Sequence, residues 1–125
     1  MSLLLTCFVA LAGCEDDHGH DAEGPASGAE CKEGSTLSWD SFGEKFMTDY
    51  CTRCHASSVA GPARQGAPSD HNFESLALVR EQMEHIDQLA AAGPESVNTE
   101  MPLGGPAPTE AERQMLGEWL ACGAP

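Results

Sequence analysis

Cys51-Thr52-Arg53-Cys54-His55 places two thiols three positions apart, with an imidazole directly after the second. This is the spacing at which c-type haem is attached covalently. Two thiols at the end of a helical turn can add to the two vinyl groups of one porphyrin, fixing that edge of the ring against the backbone. His55 then reaches the iron as its proximal ligand. Two other chemistries use the same residue types. A thiol-redox CxxC belongs beside a βαβ pattern, which the flanking sequence lacks. A zinc site needs further ligands at recognisable spacing, and the remaining cysteines lie about 20 or more residues away. Haem attachment is the reading that the run supports best.

A proximal histidine needs its second ring nitrogen held by an acceptor, which sets the tautomer and raises the ring's basicity. The Gly- and Pro-rich loop after His55 holds Gly61-Pro62 and Gly66-Ala67-Pro68. The carbonyl of Pro62 or of Pro68 is a candidate, and the sequence does not choose between them. Arg64 in the same loop either pairs with a haem propionate or stands in solvent.

Helices must carry these groups. Trp39, Phe42, Phe46 and Tyr50 recur at helical spacing, so a helix is expected over 39–51 with Ser38 as N-cap, delivering the thiols at its C-terminal end. Gly43 lies inside it, where glycine costs up to about 1 kcal/mol against alanine unless another helix approaches closely. A second helix is expected over 70–92, capped by Ser69 or Asp70 and ended by Gly93-Pro94. Phe73, Leu76, Val79, Met83, Ile86 and Ala90 form its apolar stripe. His85 shares the other face with Glu74, Glu81 and Gln88, which marks it as exposed rather than a ligand. An irregular Pro- and Gly-rich stretch follows and contains Met101-Pro102. The last helix opens on the capping box Thr109-Glu110-Ala111-Glu112 and runs to about Cys122, with Met115, Leu116, Trp119 and Leu120 on its apolar side.

The amino terminus reads as export. Leu3 to Leu11 is an apolar run too short to span a membrane. It is followed by Leu11-Ala12-Gly13-Cys14, which resembles the lipobox of bacterial lipoproteins. That resemblance implies a signal peptide over 1–13 and lipidation of Cys14. An ordinary secretory signal and a packed N-terminal helix are the other readings of the same stretch. Residues 15–30 carry six acids and no Lys or Arg among small residues, and 14–34 is expected to be an acidic flexible tether. His18 and His20 within it could hold a divalent cation only weakly, because a mobile site loses affinity to ordering.

With 125 residues and a net charge of −14, the chain is expected to form one small domain over 35–125. A domain of that size has little apolar surface to bury, and an inserted macrocycle would supply part of the missing core. The acidic balance argues against nucleic acid as a partner. It favours a basic patch on another protein, or serves solubility alone.

The order of helix, CxxCH, Gly-Pro loop, middle helix, Met-Pro loop and terminal aromatic helix is similar to the class I cytochrome c family over residues 35–125. The resemblance implies an all-α fold of three main helices wrapped around one covalently bound haem c. In that family a glycine eight positions before the first haem cysteine meets an aromatic of the last helix, and Gly43 and Trp119 match those places. It also implies that Met101 is the sixth iron ligand beside His55. The cysteines then divide. Cys7 leaves with the signal, Cys14 takes lipid, and Cys51 and Cys54 take haem. Cys31 and Cys122 remain, an even pair in an exported protein and so an expected disulfide. The function implied is that of a carrier rather than an enzyme. It is a membrane-tethered cytochrome moving single electrons between redox proteins on the periplasmic side of a bacterial membrane. The rivals are a haem enzyme or gas sensor with an open sixth position, and a fixed haem subunit of a larger respiratory complex.

Overall fold

The computed structural model describes residues 24–125. The apolar amino-terminal run, Cys14, His18 and His20 lie outside the described residues. Ser38 caps the first helix as expected, its side chain accepting from the Ser41 N–H while Ser41 Oγ returns a contact to the cap backbone. The first turn, Trp39–Gly43, is widened into a π turn, and α1 (Glu44–Tyr50) continues it. A short 3-10 turn spans Gly61–Arg64. The single middle helix expected over 70–92 is instead two. α2 (Leu76–Glu81) is capped by the Ser75 hydroxyl, and α3 (Met83–Ala90) starts after Gln82, whose φ of −123° and ψ of 18° interrupt the helix. α4 (Glu110–Ala121) opens on the expected capping box of Thr109 and Glu112. Among the described residues there is no β-strand, only an isolated bridge between Ala92 and Val97. The fold is all-α.

The core lies where the first helix meets α4. A Cβ built on Gly43 would stand 2.5 Å from Trp119 Cζ2, so only glycine permits this approach. Phe42 meets Trp119 edge-on at 6.0 Å and Phe46 meets Tyr50 likewise at 5.0 Å, both favoured arrangements for aromatic rings. Trp119 and Leu116 are fully buried, as expected, but Met115 is exposed, and the buried stripe of α4 includes Arg113 instead. Cys31 and Cys122 are joined by a disulfide.

The expected tether boundary at residue 34 needs correction. Residues 24–30 pack on the body as a strap over α3 and α4. Ser27 is fully buried, and its N–H and hydroxyl both donate to the Asp87 carboxylate, at 2.8 and 2.5 Å. The Ser27 carbonyl accepts from Glu95 and Ser96 N–H, and Asn98 Nδ2 donates to the Pro25 carbonyl. Small residues suit a solvated chain, but they also let two backbones approach. A Cβ on Gly93 or Gly117 would collide with Ser27 O and Ala92 O respectively.

Candidate haem site

Tyr50 ends α1, and the chain turns at once through the CxxCH run, with His55 N–H donating to the Cys51 carbonyl at 3.0 Å. Cys51 and Cys54 are not bonded to each other. Burial pushes the Cys51 thiol up to about 12, so it stays a neutral thiol. Both cysteines and His55 line one open cleft. Phe73, Ile86, Leu89 and Ala90 give it apolar walls, and Met101 and Pro102 from the last loop line the same space.

His55 is oriented twice. Its ring stacks on Phe73 with centroids 4.7 Å apart and planes 19° from parallel. Its Nδ1 lies 3.0 Å from the carbonyl oxygen of His71, which can only accept, so Nδ1 carries the proton and Nε2 keeps its lone pair. Burial lowers the pKa of His55 against the opposing effect of that bond, which favours the neutral ring a metal ligand requires. The acceptor is therefore neither Pro62 nor Pro68. Pro68 accepts instead from Arg64 and from the His71 N–H.

Arg64 does not stand in solvent; it lines the cleft. It is buried and donates to the carbonyls of Ala56, Ala67, Pro68 and His71 and to Asn72 Oδ1. It thus shapes the loop that presents the His71 carbonyl to His55. His85 also departs from expectation. It lies half-buried on the cleft beside Ile86 and Leu89, edge-on to the buried His71 with centroids 4.8 Å apart.

Met101 is the methionine that lines the cleft among the described residues. Met47 is fully buried in the core, Met83 packs against that core, and Met115 is on the surface. The Met101 backbone is tied at both ends of its peptide unit. Its N–H donates to the Leu89 carbonyl at 2.9 Å, and its carbonyl accepts from Arg113 Nη1 at 2.8 Å. Arg113 also donates to the carbonyls of Ala90 and Asn98, so one buried side chain gathers the end of α3 and the Met101 loop onto α4. Sequence reasoning missed it. The signal was there, since Arg113, Leu116 and Leu120 share the buried face of α4 at helical spacing.

Two unbonded thiols, an imidazole with one nitrogen held and the other open, and a thioether share one apolar cleft, and this donor set suits a covalently attached haem. Among the described residues no cluster of three or more His, Cys, Asp or Glu side chains is placed to hold a metal ion by itself. Searches against protein-family models, curated proteins and solved structures found no match to the chain.

Proposed function

We propose that the chain is a monohaem cytochrome c of the class I type, carrying single electrons between redox proteins outside the cytoplasmic membrane. The observation that carries this reading is the convergence of Cys51, Cys54, His55 and Met101 on one cleft, with His55 Nδ1 held by the His71 carbonyl. Haem supplies a one-electron iron couple. Cys51 and Cys54 fix its edge, and the His55 ring is held against rotation by Phe73 and His71. Met101 offers a soft neutral sulfur that favours the reduced state, and the apolar walls exclude water and disfavour added charge. With His55 and Met101 both engaged, the iron would have no open position for substrate, which would make the site a carrier rather than an enzyme.

A second reading, a haem enzyme or sensor with an open sixth position, draws support from His85 on the cleft. Export and tethering rest on the Leu11-Ala12-Gly13-Cys14 run, and the Cys31–Cys122 disulfide is compatible with an oxidising compartment. The test is the full-length protein matured in a host with c-type haem attachment. Haem is expected to stay with the polypeptide through acid and organic solvent, and the reduced protein is expected to resist carbon monoxide. Extraction of haem into the organic phase defeats the central reading. Tight carbon monoxide binding by the reduced native protein selects the second. For the tether, Cys14→Ser is expected to release the protein from membranes with an unchanged spectrum, and equal membrane retention rules lipidation out.

A further inference from the structure

Two arginines grip the segment that carries Met101, from opposite environments. Arg113 holds it from within and is buried, as described above. Arg53 holds it from the rim, where it is exposed. Its Nη2 donates to the Leu103 carbonyl at 2.8 Å and also to the Gly104 carbonyl. The receiving turn is shaped for this side chain. Gly104 and Gly105 have φ of +63° and +68°, and a Cβ on Gly105 would overlap the Arg53 guanidinium. Arg53 lies between Cys51 and Cys54, so these bonds tie the thiol-bearing turn directly to the loop after Met101-Pro102.

We propose that Arg53 is a positioning residue that latches the 101–105 loop to the turn between Cys51 and Cys54 and so keeps Met101 in the cleft. The two grips are unequal. Arg113's bonds are shielded from water, whereas Arg53's compete with it, and its neighbour Leu103 is half exposed and adds little packing. The loop therefore opens first at the Arg53 edge, turning about the Arg113 anchor. The hydrogen bonds stand on their own. Only the spectroscopic readout rests on the haem reading given above.

The test uses the full-length, haem-loaded protein with Arg53→Ala and Arg53→Lys. Carbon monoxide reaches the reduced iron only through the fraction of molecules in which Met101 has left it. Loss of the latch is expected to speed carbon monoxide association about 5–10-fold, and Lys is expected to recover part of the difference. Amide exchange at Met101, whose N–H is bonded to Leu89, is expected to accelerate by a similar factor in R53A. The near-infrared sulfur-to-iron band of the oxidised protein is expected to persist, because Arg113 still anchors the loop. Unchanged association and unchanged exchange in R53A, with that band intact, overturn the proposal. If wild-type haem proves extractable, the haem reading falls while the exchange measurement still decides the latch.

Discussion

Gly43 and Trp119 show how one residue sets a helix crossing. Replacing Gly43 by alanine removes a helix-disfavouring residue, which alone would stabilise by up to about 1 kcal/mol. The added methyl would press on a fully buried indole with no room to retreat, and overpacking of that kind costs about 1–3 kcal/mol. The second effect wins. Gly43→Ala is expected to lower unfolding stability by about 1–2 kcal/mol in urea titrations, and a stabilised variant would mean that the crossing does not depend on this contact. The place of Gly43 was legible because a costly residue in a helix demands a compensating neighbour. The partner of His55 was not. The carbonyl that holds it belongs to His71, 16 residues away, and any residue type in that place would offer the same oxygen. Side-chain identity carries no trace of such a bond.

At the scale of elements, the ends of helices were more legible than their courses. Ser38 and the Thr109–Glu112 box announced themselves by local chemistry, whereas the break at Gln82 has no glycine or proline to mark it. The strap was hidden for a related reason. Ser27 meets Asp87 across 60 positions, and neither residue alone predicts burial. The join between α1 and α4 carries a pH signature. Tyr50 Oη donates to Glu112 Oε1 at 2.9 Å, while the other carboxylate oxygen accepts from the Thr109 N–H and hydroxyl. The Thr109 bonds and then the Tyr50 hydroxyl hold the Glu112 carboxyl below its usual value. A folded-state pKa lowered in this way contributes stability that is present above the ordinary Glu value and lost as pH falls through the lowered one. Tyr50→Phe is expected to cost about 1 kcal/mol at neutral pH, and the gap from wild type should close in acid once Glu112 is protonated. Urea midpoints measured down the acid limb check this. A gap independent of pH would mean that the phenol acts through packing alone.

Across the whole molecule, the disulfide and the strap make a small domain hold together. The Cys31–Cys122 disulfide spans a sequence separation of 91, joining the chain just after the strap to the cap of α4. Lys32 reinforces the same seam by pairing with Glu118 at 2.5 Å, though the exposed lysine makes this pair a minor contributor. A closed loop of this length is worth about 4–5 kcal/mol in the chain-entropy model. That figure is an upper bound here, because covalent haem would already restrict the unfolded chain between Cys51 and Cys54, and the cross-link acts on the unfolded state. The strap sharpens the expectation. Its bonds to Asp87 and Asn98 lie only four to six residues before Cys31, so opening the disulfide should loosen them as well, and the native state should fray there before it unfolds globally. The Cys31→Ser/Cys122→Ser variant is therefore expected to melt roughly 10–20 °C lower, and Ser27 N–H should exchange faster even well below the melting temperature. Alkylation and mass mapping of native wild type would find the pair absent if both thiols react. A double variant with an unchanged midpoint would show that the strap and α4 hold the seam without the covalent link.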